Sequence, residues 1–335
     1  MTEEKLQSLG KDVLRLSPDA IPEHILKTEI LNERNSLATK REIYNTDLVK
    51  DLIRYQWDDG SWGRFHSQDT KRRDKFKTSQ IAIMKAKAWG LGKHDAVINK
   101  AIHYMEEVLE NKTEIHDPRE KSPTWPIGVE TWTAATLAIV DPDNILLNRT
   151  WEKCFHLVKS AFKTDKFNMD GLRKGYADLG INFVRKGYDG KPRYGYLFIA
   201  NVNAIKILAT RASLLPESLS EILVNWIWNK HDGIGYTFGS QLSDYLNHGK
   251  YGEIETRIRI INDLLKFKIE NRQFSSFVSW IEGMECDGLW DFGPRPANTI
   301  EVPLSDNWRK RITRRVDYSV AILRFLRNFA GKWDV

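Results

Sequence analysis

The sequence predicts an all-α fold of helical hairpins arranged in two concentric rings, and two observations carry that expectation. Apolar residues recur at helical spacing along almost the whole chain, with few alternating runs that would build a sheet. The helices also fall into pairs. The first of each pair is apolar over much of its circumference and the second is polar on one side, as rings require, because an inner helix has neighbours nearly all round and an outer one faces water. No Pro/Gly/Ser-rich linker divides the 335 residues. The chain is therefore read as a brace of N-terminal helices, residues 1–45, and one compact helical domain, residues 46–335.

In chain order, helices are expected at 3–16 and 22–34, completing or bracing the ring. An outer helix is expected at 48–57, capped by Asn45 or Thr46 and closed by a turn at Asp59-Gly60. Residues 78–91, rich in Ala, Ile and Met, pair with the amphipathic 95–109 across Gly90 and Gly92. Residues 130–140, with Ala134, Ala135 and Ala138, pair with 145–162, and Asp141-Pro142 serves as a capping signal between them. Residues 197–212 pair with 217–228 across Leu215-Pro216, residues 254–269 pair with 274–283, and 315–329 form the last helix.

Between the hairpins lie loops with a common vocabulary. In residues 52–63 (LIRYQWDDGSWG), Leu52, Gln56, Gly60 and Trp62 stand at fixed offsets, and Gly/Trp- or Gly/Tyr-rich strings recur at 189–195, 232–236 and 287–293, with a weaker one at 124–128. Several such loops in phase with helix pairs signal a repeat architecture. The pattern resembles the QW motif of squalene-hopene cyclases and their relatives, the terpenoid cyclase and protein prenyltransferase α/α toroids. The likeness is at superfamily level and covers roughly residues 48–329; only the first copy keeps Gln, Gly and Trp together. It implies a single (α/α) toroid of five to six helical hairpins, in which the Gln amide contacts neighbouring backbone and the Trp ring stacks over a helix end. It further implies a central cavity with its mouth near the N-termini of the inner helices, and a terpenoid cyclase-like enzyme (a lyase, isomerase or transferase) acting there on an isoprenoid or other apolar small molecule.

The chain departs from that family's catalytic signatures. It has no DxDD acid motif and no DDxxD, and Glu285-Cys286-Asp287 does not reproduce the zinc-binding DxC string. A non-standard mechanism is therefore expected. The candidate acids are Asp317, Glu130 and Glu255, carboxylates on inner helices that are costly to bury unless paired or protonated. Substrate contacts are expected from Trp132, Tyr196, Asn203, Tyr251, Arg257 and Tyr318, whose rings would stabilise cationic intermediates. Two basic clusters precede the first and last inner helices, and ring closure would bring them to one rim, so Arg72, Arg73, Arg311 and Arg314 form a candidate anion site. No cofactor or metal set is evident, with magnesium expected only alongside a bound diphosphate.

The net charge of +6 arises from 51 basic and 45 acidic residues, a mixed surface rather than a nucleic-acid footprint. No apolar run is long enough to span a membrane, the N-terminus lacks the pattern of a signal peptide, and two cysteines without ligand spacing suggest a reducing, cytoplasmic setting. A protein partner remains compatible with all of this. Two other readings share the architecture: a sugar-active toroid using a pair from Glu130, Glu255 and Asp317 with Trp132 and Tyr196 as platforms, and a non-catalytic toroid that binds a lipid or a protein.

Overall fold

Helices supply nearly all the regular structure in the computed structural model, which describes residues 2–33, 37–68, 71, 76–181, 184–186, 192–194, 197–235, 238–247, 249–270, 272–294 and 299–331. The protein is all-α. Its helices are α1 (Glu3–Leu14), α2 (Ala20–Ile25), which runs into a π-turn at Leu26–Ile30, α3 (Leu37–Ile43), α4 (Asp47–Arg54), α5 (Ser79–Ala88), α6 (Ala96–Leu109) and α7 (Trp125–Val140). They continue as α8 (Leu147–Ala161), α9 (Met169–Asp178), α10 (Val202–Ala209), α11 (Glu217–Asn229), α12 (Tyr251–Leu265), α13 (Arg272–Glu282) and α14 (Arg311–Ala330). One short antiparallel pair, β1 (Val184–Lys186) and β2 (Pro192–Tyr194), is the exception. The Gly-rich string expected at 189–195 falls largely outside the described residues, as does Tyr236.

Local chemistry sets the helix ends. Thr46 and Thr78 start α4 and α5 by accepting the N–H of Val49 (3.3 Å) and Ile81 (3.2 Å). Helix α7 begins at Trp125, five residues ahead of the expected start, because Pro126 sits in its first turn, where a missing N–H costs nothing. The string 124–128 is therefore the opening of a helix rather than a loop. Helix α9 was not expected at all. Gly171 and Gly175 give it a close-contact face instead of an apolar stripe: a Cβ on Gly171 would lie 2.2 Å from the Ser160 carbonyl oxygen of α8.

Packing follows a pattern of alternate helices. Helix α5 lies against α7, α7 against α10, α10 against α12 and α12 against α14, while α6 and α8 pack on α7, and α8 also on α9 and α10. Arg324 of α14 donates to the Ala88 carbonyl at the end of α5 (2.7 Å), linking the last of these five helices to the first. Helix α1 and the π-turn lie on α14, with Arg324 paired to Glu29 (2.8 Å) and Arg327 to Glu3.

The motif residues act as hinges between helices. Gln56 Nε2 donates to the carbonyls of Gly60 (2.9 Å) and Val97 (2.8 Å), tying the end of α4 to the first turn of α6. Gly60 adopts φ +92°, and a Cβ there would fall 2.3 Å from the Lys100 carbonyl, so this approach needs glycine. Buried Trp62 donates its indole N–H to the Leu52 carbonyl of α4 (2.8 Å) and its backbone N–H to Ser79 Oγ of α5 (2.9 Å). Trp290 repeats both bonds, to the Ile281 carbonyl of α13 (2.8 Å) and to Ser319 Oγ of α14 (2.9 Å). Each tryptophan thus satisfies a carbonyl in the last turn of one helix, which has no partner within its own helix, and hangs the chain on a serine of the next apolar helix.

Candidate functional site

Between α13 and α14, residues 299–305 lie against helices α12 and α14 and the C-terminal end of α5. Thr299, Val302, Leu304 and Ser305 are buried there. Irregular backbone in such a place needs partners for its amides, and two inner-helix carboxylates provide them. Glu255 of α12 accepts from the N–H of Ile300 (2.8 Å) and of Glu301. Asp317 of α14 accepts from the N–H of Leu304 (2.7 Å) and Ser305 (2.9 Å), from Ser305 Oγ (2.6 Å) and from the Trp308 indole. Helix α5 adds the Trp89 indole, which donates to the Pro303 carbonyl (3.1 Å). Segment 299–305 is therefore a plug held from three helices.

Beside the plug is a cavity of ≈ 700 Å³ to which α5, α7, α10, α12 and α14 all contribute. Its volume is that of a small-molecule site. The contributing positions fall in the middle and C-terminal parts of the helices, from Met84 and Lys87 of α5 to Arg324 and Arg327 of α14, with Glu29 on one wall and Ile300 and Glu301 of the plug at the floor. The mouth was expected at the N-terminal ends; the plug is bonded to the N-terminal halves of α12 and α14 and to the C-terminal end of α5.

The cavity is charged rather than aromatic. Among the described residues, seven Lys and Arg side chains and three carboxyls line it, and Phe325 is the one aromatic. Most charges are matched: Lys206 and Lys266 share Asp263 (2.6 and 3.8 Å), and Arg324 pairs with Glu29. Arg259 is not. Among the described residues its half-buried guanidinium reaches Met84 Sδ at 4.0 Å and Thr256 Oγ1 at 3.5 Å, its buried Nε has no hydrogen-bond partner, and its charge acts on Glu255 and Glu301 without a direct ion pair. Glu301 lines the floor, where burial and then the negative charge of Glu255 push its carboxyl up to about 7. Burial also raises Glu255, against the pull of Arg259 and the plug amides.

The residues singled out from the sequence lie elsewhere. Glu130 turns to α8, where Lys153 (2.7 Å) and Thr150 (2.9 Å) engage it. Trp132 is stacked under His66 at 4.0 Å. Tyr251 and Tyr318 pack together at 4.4 Å, and Trp308 lies 5.2 Å from Tyr318, so these rings and Asp317 form one cluster. Burial raises Asp317 to about 6 even though Ser305 and Trp308 favour its ionised form. Asn203 is in the first turn of α10, its N–H bonded to Asn201 Oδ1 (2.9 Å). Arg257 is fully buried, with Nη2 on the Asp244 carbonyl (3.1 Å) and its guanidinium 4.5 Å over Phe238. Arg311 pairs with Asp291 (2.9 Å), and Arg314 donates to the Arg309 carbonyl (2.9 Å). Arg72, Arg73 and Tyr196 lie outside the described residues.

Of the residues singled out from the sequence, the structure places Glu255, Asp317, Tyr251 and Tyr318 near one another; Arg259 and Glu301 were not among those singled out. Arg259 sits two residues from Arg257 in a run of alternating Ile and Arg, where spacing alone does not choose between them. Glu301 lies in a stretch with no period at all. Among the described residues no group of three or more His, Cys, Asp or Glu is placed to hold a metal ion, and no helix is long and apolar enough to cross a membrane. In comparisons with protein families, curated proteins and solved structures, no family model, no protein and no structure matches this chain.

Proposed function

We propose that the chain is a single α/α toroid of the terpenoid cyclase and protein prenyltransferase type, and that it transforms an isoprenoid-like molecule held in the five-helix cavity. Three features support the toroid: the neighbour sequence α5, α7, α10, α12, α14 with the Arg324–Ala88 link, the outer helices that intervene in the chain, and the two tryptophan hinges with identical bonding. The enzyme reading rests on one observation, a carboxyl with its pKa near neutrality on the floor of a cavity to which all five helices contribute.

That acid narrows the chemistry. A carboxyl raised to about 7 gives and takes protons efficiently at oxygen near neutral pH. Protonating an alkene calls for a far stronger acid, and a cationic chain would need the aromatic wall that a single Phe325 does not provide. In this proposal Glu301 protonates a leaving hydroxyl as its C–O bond breaks, and the Glu301 carboxylate so formed takes the proton of the neighbouring C–H to leave an alkene and water. Glu255 sets the proton affinity of Glu301, and Arg259, Lys206 and Arg324 stabilise the carboxylate in between. The plug excludes water from one side.

The test is thermal unfolding with a panel of isoprenoid alcohols, beside mass identification of any molecule that co-purifies. A cavity ligand at a hundredfold excess over its dissociation constant adds about 2.7 kcal/mol. The response should vanish in Ala138→Phe, which fills the cavity from α7. An unchanged response in a folded Ala138→Phe protein would place the ligand elsewhere.

A further inference from the structure

We infer that Lys87 is a nucleophile toward carbonyl compounds: its ε-amine, on the wall of the five-helix cavity, condenses with an apolar aldehyde or ketone to give an imine. Only the cavity's openness to a small molecule is shared with the reading above; the dehydration assigned to Glu301 is not needed for it.

The surroundings of Lys87 lack what ordinarily holds a lysine in its charged form. It stands in the last turn of α5, lines the cavity and makes no ion pair among the described residues. Glu29, the acid on this wall, is engaged on both oxygens by Arg324 (2.8 and 2.9 Å). A helix end attracts cations through its free carbonyls, but those of α5 are taken. The Lys85 carbonyl accepts from the N–H of Trp89 (2.9 Å), Ala86 from Leu91 (2.9 Å), Lys87 from Gly90 (3.1 Å) and Ala88 from the Arg324 guanidinium (2.7 Å). Lys40 occupies the Gly90 carbonyl just beyond (2.7 Å). The amine is thus left to three cations, Arg324, Lys266 and Lys40, and one acid that is already spent. Burial and then the charge of Arg324 lower its proton affinity; Lys266 and Lys40 act with them, and Glu29 acts against.

Access and shape complete the site. Lys87 is exposed, and Ala138, Ile139, Ile258, Leu265 and Phe325 supply apolar wall on the same cavity. An apolar molecule seated there displaces the water that solvates an ammonium, which favours the neutral, nucleophilic amine. The amine lone pair adds to the carbonyl carbon. The carbonyl oxygen then departs as water with both amine hydrogens, leaving a C=N bond; nothing is oxidised or reduced.

Reductive trapping of the full chain tests the inference. The protein is mixed at pH 7 with decanal and cyanoborohydride, which reduces each imine as it forms, and the labelled lysines are located by peptide mass mapping. Lys87 should be labelled faster than the exposed Lys50 and Lys100 by about tenfold or more, as expected of an amine kept partly unprotonated by its surroundings. That excess should disappear in Ala138→Phe, which fills the cavity. Equal labelling of Lys87, Lys50 and Lys100 in the wild type overturns the inference without need of a variant, as does an excess at Lys87 that survives in folded Ala138→Phe. Selective labelling of Lys87 with no response to any isoprenoid alcohol keeps the inference and removes the isoprenoid reading. An alcohol response that is lost in Ala138→Phe, with equal labelling of the three lysines, does the reverse.

Discussion

Glu255 and Glu301 meet at one point in the plug and do different work. Glu255 is spent on backbone amides, whereas Glu301 accepts no hydrogen bond from the described residues and lines the cavity, so its proton is the one a ligand meets. This pair has a consequence for stability. An unfolded chain ionises Glu near its usual value of about 4.3, but folded Glu301 keeps its proton up to about 7. The unfolded state therefore binds fewer protons across that window, and stability falls as pH rises through it. Asp317 contributes with the same sign only up to about 6. In this window the Glu301–Glu255 pair works against His24 and His66, whose burial-lowered pKa values make stability rise with pH, so Glu301→Gln should tilt the profile upward and raise the melting temperature at pH 8. Superimposable profiles for the two proteins would show that Glu301 is not held protonated. Asp317 shows how far a sequence reaches at this scale: an acid on an apolar helix face announces that it needs partners, but the partners, residues 304–308, stand in a loop without periodicity.

At the scale of elements, the tryptophan hinge is the recurring device. Trp62 and Trp290 each bind back to a helix end through the indole and forward to a serine through the backbone. The forward bond uses a buried N–H, and a buried donor left unsatisfied costs about 1–3 kcal/mol. Ser79→Ala and Ser319→Ala should each destabilise the protein by that amount in urea unfolding, and a loss below about 0.3 kcal/mol in both would remove the hinge from the account. The Gln-Gly-Trp spacing made the first hinge legible, because each residue type is needed for its bond or its backbone angle. The serines were not legible, since a single Ser on an apolar helix has no pattern to mark it. Helix α9 escaped for a related reason: its contact with α8 is made by two glycines rather than by an apolar stripe, and glycine reads as a breaker. Helices α5, α8, α12 and α14, whose apolar spacing is regular, lie within a few residues of where the sequence put them.

For the whole molecule, the arrangement turns on where segment 299–305 lies among α5, α7, α10, α12 and α14. Segment 299–305 occupies space on one side through Glu255, Asp317 and Trp89, and the cavity lies among the middle and C-terminal parts of the helices. The all-α class was legible because apolar residues recur at helical spacing. The place of segment 299–305 was not, because it is one aperiodic loop. A crystal structure of the protein grown with an isoprenoid alcohol tests the proposed site most directly. The account predicts ligand density in the cavity beside Glu301, against Ala138, Ile258 and Phe325. Well-defined ligand density elsewhere, with only solvent beside Glu301, would contradict it.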